Sequence, residues 1–302
     1  MMAEKGFFNL DICVSETVQK DKVVLLSVPS ITRYKGRVDN CSSGIKVLRD
    51  ASKKFENKKN SWDFDTNSSL EQTISSMVDL GNFSLKQNPE KDRAKLIEKL
   101  KFHISNGNKI IILGGDDSVS IPPILALEPL KQVHILQIDA HLDWKDHVGE
   151  EKFGRSNVMK RASECEWVEG ITQIGLRGLG TSSENELWEA KKWGVNIITS
   201  LELLDLKVDE IVEITPKEIP IYISLDLDGV NPSALPSVDS PVPGGPSLSY
   251  IIALIKKLSD KRILAGANFV EFSPTNDIND LGKNASIRLL TVLCNSLTNS
   301  YR

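Results

Sequence analysis

Apolar positions follow two distinct patterns along this chain. Lys22–Val28 (KVVLLSV), Lys109–Leu113, Val133–Ile138 (VHILQI), Ile171–Gly175, Val195–Ile198, Ile221–Leu227 (IYISLDL) and Arg262–Phe269 are short runs bounded by turn residues. Several are apolar at nearly every position, as parallel strands covered on both faces are. Between them lie longer stretches with helical spacing. Pro89–Ile104 places Leu96, Ile97, Leu100 and Ile104 on one face, with Asn106 or Gly107 as its stop, and Ser247–Leu258 and Ala285–Leu297 read similarly. Asn57–Ser69 is the most loop-like region. Strands separated by helices predict βαβ units in a three-layer α/β/α arrangement. No linker or composition shift marks a boundary, so residues 1–302 read as one domain.

Composition narrows the class. The hydrophobic fraction of 40% and charged fraction of 26% are those of a globular protein. Lys and Arg number 37 against 41 acidic residues, for a net charge of −4, so there is no concentrated positive charge for a nucleic acid. No window of 18–20 apolar residues predicts a membrane span. The start, MMAEKGFFNLDICVSE, is broken by Asn9 and Asp11 and does not read as a signal peptide. Cys13, Cys41, Cys165 and Cys294 form no CxxC pair, which predicts reduced thiols in the cytoplasm rather than a disulfide framework or a thiolate zinc site.

Ligands of open α/β sheets bind beyond the carboxyl ends of the strands, and the charged residues cluster there. Gly114-Gly115-Asp116-Asp117-Ser118 follows one apolar run, Asp139-Ala140-His141-Leu142-Asp143 another, and Asp226-Leu227-Asp228 ends a third. Alternate residues of an extended segment point the same way, so Asp139, His141 and Asp143 can converge, as can Asp226 and Asp228. Taken singly, a DxD is common at strand ends, and GGDDS is usually a turn with an N-cap. Together with Asp117 they crowd five carboxylates, which repel one another unless cations lie between them. Oxygen-rich ligation with one imidazole suits a divalent ion, Mn²⁺ ahead of Zn²⁺.

These motifs resemble those of the ureohydrolase (arginase/agmatinase) family, most of all its agmatinase-type branch. GGDDS is similar to GGDHS, DAHLD matches DAHxD, and GIKVLRDAS at Gly44–Ser52 resembles GPxxIRxAS. Val78–Gly81 resembles VDLGD, SLDLDGVNPSALPSVDSPVPGG at Ser224–Gly245 resembles SxDxDxxDPxxxPGxGTPxPGG, and VEFSPTND at Val270–Asp277 is similar to VEVNPxxD. The resemblance implies an arginase-like fold with a central eight-stranded parallel sheet, a trimer or hexamer, and two manganese ions that hydrolyse a guanidino group, agmatine-like, to urea and an amine. It implies that Asp139 and Asp226 bridge both metals. His141 and Asp228 then complete one shell, Asp143 and the residue at 117 belong to the other, and Glu271 pairs with the substrate guanidinium. The chemistry is coherent: hydroxide generated by two metals at neutral pH is a suitable nucleophile, a carboxylate holds a planar cation by paired hydrogen bonds, and the leaving amine needs a proton.

The departures lie at the site. Asp117 stands where the family has histidine, and Arg155, in KFGRSNVMKRASE, stands where YGHGxxMRRASE has the histidine that assists proton transfer. Arginine stays protonated and cannot shuttle a proton. Asn231, Ser237 and Asn268 replace Asp, Gly and Asp of the family pattern. A fifth carboxylate and a new cation balance each other, so Asp117 and Arg155 read as a coupled exchange. Either Asp117 ligates a metal and Arg155 contacts an anionic part of the substrate, or Arg155 pairs with Asp117 in place of the first metal. Among other candidates, His147 reads as a surface residue, His134 as a core residue and His103 as a helix residue without a role. Trp62, Trp167, Trp188 and Trp193 read as packing residues, and Trp144 as a possible pocket wall.

Two further readings compete with an amidinohydrolase. One is a catalytically impaired relative kept as a binding or regulatory protein, favoured by Asp117 and Arg155 and opposed by intact Asp139, His141, Asp143, Asp226, Asp228 and Glu271. The other is an amide hydrolase of deacetylase type, which needs a histidine pair that is not visible.

Overall fold

All seven apolar runs become strands in the computed structural model, which describes residues 5–13, 18–32, 34, 40–85 and 89–300. Residues 1–4 and 14–16 of the N-terminal stretch discussed above lie outside the described residues. The strands of the main sheet are β1 (Val23–Val28), β2 (Met77–Asn82), β3 (Lys109–Gly114), β4 (Val133–Ile138), β5 (Val168–Leu176), β6 (Asn196–Thr199), β7 (Ile221–Asp226) and β8 (Leu264–Val270). They form one eight-stranded sheet in the order β2-β1-β3-β8-β7-β4-β5-β6, with every pairing parallel. The strand not read from its own pattern is β2. It lies at the sheet edge, alternates buried and half-exposed positions, and carries Asp79 and Asn82, so it has no continuous apolar run.

Helices cover both faces, and successive strand residues sort between them. Ile111, Leu113, Ile223 and Leu225 join one core with the helices Gly44–Ser52, Leu248–Lys261 and Leu281–Asn299. Ile110, Ile112, Ile135 and Tyr222 join the other, with Leu96 and Leu100 of the helix Pro89–Ser105. The helix Leu248–Lys261 shows why the pattern was legible. The Ser247 side chain caps it by accepting from the Tyr250 N–H at 3.1 Å, and Ile251, Ile252, Leu254, Ile255 and Leu258 are its buried face. Pro89–Ser105 ends as expected, with Gly107 at φ +80° just beyond it. The loop-like region instead holds a short antiparallel pair, Trp62–Asp63 with Ser68–Ser69. Trp62 and Trp188 are exposed, contrary to the packing role expected of them, because neither lies on a core-facing position. Among the described residues no helix is long and apolar enough to cross a membrane.

The strand order places the four chemistry-bearing strands, β3, β8, β7 and β4, side by side at the centre. In register, Asn268 pairs with Ser224 and Ser224 with Gln137, so Asp226 and Asp139, each two residues on, end at the same level and on the same face.

The turn after β3 depends on a close backbone approach. A Cβ on Gly115 would stand 1.9 Å from the Ser30 carbonyl oxygen, and the Gly115 carbonyl accepts the Glu271 N–H at 2.9 Å. Gly115→Ala is expected to destabilise the protein by about 1–3 kcal/mol, the usual range for overpacking, measured by denaturant unfolding. Unchanged stability would show that this approach is dispensable.

Candidate metal centre

Each strand end delivers its carboxylate through a local backbone device. After β3, the Asp116 side chain accepts from the Ser118 N–H at 3.1 Å and from the Thr32 N–H at 2.5 Å, which opens the short turn that carries Asp117 inward. Asp117 Oδ1 accepts from the Ser120 hydroxyl, while its buried Oδ2 has no hydrogen-bond partner. After β4, Asp139 Oδ1 accepts the His141 N–H at 2.6 Å, and Asp143 takes φ +49°. At the end of β7, Asp226 Oδ1 accepts the Asp228 N–H at 2.8 Å, and Asp228 Oδ1 accepts the Ala140 N–H at 3.2 Å. After β8, Glu271 takes φ +67°; its Oε1 accepts the Asp117 N–H at 3.0 Å and its Oε2 the Cys41 thiol at 3.3 Å. Two non-glycine residues in the left-handed region at one site cost on the order of 1–3 kcal/mol each.

The structure brings the expected residues to one cavity. Asp117, His141, Asp143, Asp226, Asp228, Arg155 and Glu271 all line it. Asp139, buried and not itself in the lining, offers ligand atoms within 4.8 Å of those of His141 and Asp228, and within 4.8 Å of those of Asp117 and Asp143. Asp139 is common to both groups. Asp226 faces the same cavity but belongs to neither group, its Oδ1 being turned to the Asp228 N–H. His141 Nδ1 lies 3.0 Å from Asp228 Oδ2 and 3.4 Å from Asp139 Oδ1. A third group, Cys41, Asp239 and Glu271, lies beside these.

Electrostatics shows how far this arrangement is from balance on its own. Burial, followed by repulsion from neighbouring carboxylates, holds Asp117, Asp139 and Asp226 well above the ordinary carboxylate range. Glu271 is raised likewise, by burial and Asp116, with Arg155 pulling the other way. Burial would lower the His141 imidazole, but its hydrogen bond to Asp228 and the surrounding charges outweigh this and raise it to about 9. Asp228 is lowered: against burial, its bond to His141 dominates. The orphaned Asp117 Oδ2 and the shared Asp139 therefore fit cations between the carboxylates. The donors, oxygens with one imidazole, suit hard or borderline divalent ions.

Several residues that position this constellation were not identified from the sequence. Gln137 Nε2 donates to Asp139 Oδ2 at 2.7 Å and to Asp143 Oδ2 at 3.2 Å, and Gln173 Nε2 bonds Gln137 Oε1 and the Leu142 carbonyl. A glutamine inside an otherwise apolar strand, as in VHILQI and ITQIG, was the available signal, since a buried amide requires partners. The Arg177 guanidinium donates to the carbonyls of Gly175, Asp228, Gly229, Val230 and Val242 and so ties the loop after β7 to the proline-rich turn.

Arg155 stands at the cavity wall. Its N–H donates to Thr32 Oγ1 at 3.1 Å, and its guanidinium lies over the Tyr34 ring, 5.9 Å from the centroid, and pairs with Glu271 Oε1 at 3.9 Å rather than with Asp117. Of the two arrangements considered for the Asp117–Arg155 exchange, direct pairing is thus not adopted. His147 is exposed beside Asp146, and half-buried His134 bonds Thr172. His103 is buried, not merely on a helix face. Trp144 is buried and lines the cavity, as expected.

The model of the Arginase family matches residues 21–297. N(1)-aminopropylagmatine ureohydrolase of Thermus thermophilus is 34% identical over 186 residues, a match spanning 59% of this chain and 59% of that protein, less than two thirds of its length. Guanidinobutyrase of Pseudomonas aeruginosa is 26% identical over 228 residues, or 72% of this chain and 71% of the relative. The crystal structure of a hypothetical agmatinase from Burkholderia thailandensis has the same fold, with a TM-score of 0.80 at 19% identity over 98% of this chain and 91% of that one.

The charge imbalance has a measurable consequence. With Asp117, Asp139, Asp226 and Glu271 raised, the folded chelator-treated protein binds more protons than the unfolded chain once pH exceeds the ordinary carboxylate range near 4. Stability is then present at low pH and lost as pH rises; His141 adds a loss between about 6.5 and about 9. Chelated protein is expected to unfold at lower temperature at pH 8.5 than at pH 5.5, and excess divalent metal to remove most of that slope. Asp117→Asn should raise the chelated protein's melting temperature at pH 8.5 and shrink the gain from metal. A metal-independent profile would contradict this picture.

Proposed function

This chain belongs to the arginase family, and from that premise we propose that it is a divalent-metal-dependent amidinohydrolase that cleaves an agmatine-like guanidino compound to urea and an amine. The observation that carries the reading is the pair of ligand groups joined through Asp139, with Glu271 on the same cavity wall. Asp117, Asp139, His141, Asp143, Asp226 and Asp228 would hold two ions, Mn²⁺ being the best match to a donor set of oxygens with one imidazole. Bound there, the ions would supply hydroxide at neutral pH and polarise the amidine carbon.

The protein's own residues do the rest. Glu271, held from both sides by the Asp117 N–H and the Cys41 thiol, presents a carboxylate edge to a planar cation. Gln137 holds Asp139 and Asp143 in place by donating to one oxygen of each. Arg155 is a substrate-contacting group whose permanent charge keeps it from carrying a proton to the leaving amine. The chain is read as one domain, since a single sheet draws strands from Val23 to Val270, as cytoplasmic from its thiols, and as a trimer or hexamer by likeness to its family.

One observation favours a second reading, a catalytically impaired relative that serves as a binding or regulatory protein: the Arg155 guanidinium already stands 3.9 Å from Glu271. The two are separable. Metal content per chain after dialysis with Mn²⁺, followed by urea release from a panel of guanidino compounds, is expected to give two equivalents and turnover. One equivalent or none, without urea, would support the second reading. Asp117→His with Arg155→His, which restores both imidazoles, should raise urea release at least tenfold; no gain with metals bound would count against Asp117 and Arg155 as the limiting exchange.

A further inference from the structure

A second cavity, of about 520 Å³, shares no lining residue with the carboxylate cavity. Phe8, Leu70 and Ile287 give it a buried apolar floor. Its remaining apolar lining comes from Phe55 of the short helix Lys53–Lys58, and from Trp62 and Phe64 of the antiparallel pair and its turn. Polar clasps tie these segments to the helix Leu281–Asn299. Lys54 Nζ donates to Asn284 Oδ1 at 2.7 Å, and the Arg288 guanidinium binds both oxygens of Asp65, at 2.5 and 2.8 Å. Asn295 Nδ2 donates to Ser68 Oγ at 3.0 Å. The hollow is thus framed by named bonds and is not a gap between loose elements.

Its size and lining suit a small molecule, since ligand pockets run from roughly 300 to 1,000 Å³ and are mostly apolar with a few polar groups. Trp62 is 53% and Phe64 89% exposed, so two large rings stand in water beside an apolar floor. A planar ring laid against them would bury their faces in offset or edge contacts.

Charge narrows the ligand further. Three cations, Lys54, Lys58 and Arg288, line the cavity against two carboxylates, Asp63 and Asp65, which leaves one positive charge. Arg288 and Asp65 satisfy each other, and Asp63 Oδ1 accepts the Asp65 N–H at 2.8 Å. Lys54 rests on a neutral amide oxygen. Lys58 is exposed and makes no ion pair among the described residues. One carboxylate on the ligand would meet that balance.

We propose that this cavity binds a small planar aromatic monocarboxylate, its ring against Trp62 and Phe64 and its carboxylate at Lys58. The site is separate from the metal centre, and the proposal stands or falls independently of the hydrolase reading.

Three probes test it by calorimetric titration into the Mn²⁺-loaded protein: 1-naphthylacetate, its neutral amide and octanoate. The naphthyl acid is expected to bind about threefold more tightly than its amide, the difference that an exposed ion pair makes. It should also bind more tightly than octanoate, which has no ring. Trp62→Ala should weaken it about tenfold through the lost ring contact. Lys58→Ala should erase the preference for acid over amide and leave the amide unchanged. Both positions are exposed, so neither change threatens the fold. No binding, equal binding of acid and amide, or tighter binding of octanoate would overturn the proposal. An acid held by the metal ions instead would be insensitive to both substitutions, and that result overturns it as well. A second copy of the chain seated on this face would show itself as a fall in sedimenting mass on Trp62→Ala with no probe bound, which is equally fatal.

Discussion

Buried like charges govern this structure. Four adjacent strand ends place Asp117, Asp226, Asp228 and Glu271 around one cavity together with Asp143, with Asp139 buried against them, and the chain accepts the resulting repulsion. A parallel sheet makes such crowding possible, because every strand releases its chain at the same edge. Backbone N–H groups make it tolerable: those of Asp117, Ala140, His141 and Asp228 each donate to a site carboxylate. Cations placed between the oxygens convert the same repulsion into binding energy, which links stability, pH response and metal affinity.

The rest of the site follows from holding those oxygens in register. Gln137 and Gln173 form a buried amide relay beneath Asp139 and Asp143, one step down the same strand face. Arg177 gathers five carbonyls and fixes the two loops that follow β7. Neither group lines the cavity, though the Arg177 charge is felt by Asp228, Asp139 and Asp226. This is the arrangement expected of groups that tune a metal site from behind.

The Asp117 and Arg155 positions then acquire a common sense. Asp117 adds a carboxylate to the cavity, and the Arg155 guanidinium stands beside Glu271 rather than beside Asp117. The cavity thus holds one guanidinium among its carboxylates.

How much of this the residues alone decided depends on the range of the interaction. The three-layer order of strands and helices was legible because full burial on two faces forces continuous apolar runs, as in IYISLDL, and one-sided burial forces helical spacing, as in Ser247–Leu258. The edge strand β2 escaped because a strand at the sheet margin can carry Asp79 and Asn82. The convergence of DAHLD and LDLD was legible too, since alternation along an extended segment is a local rule. That Asp139 serves both ligand groups while Asp226 turns to a backbone N–H, that Arg155 reaches Glu271, and that Gln137 supports two carboxylates were decided only by tertiary structure. Each joins elements distant in sequence or depends on which rotamer the neighbours leave open, and no local pattern records that.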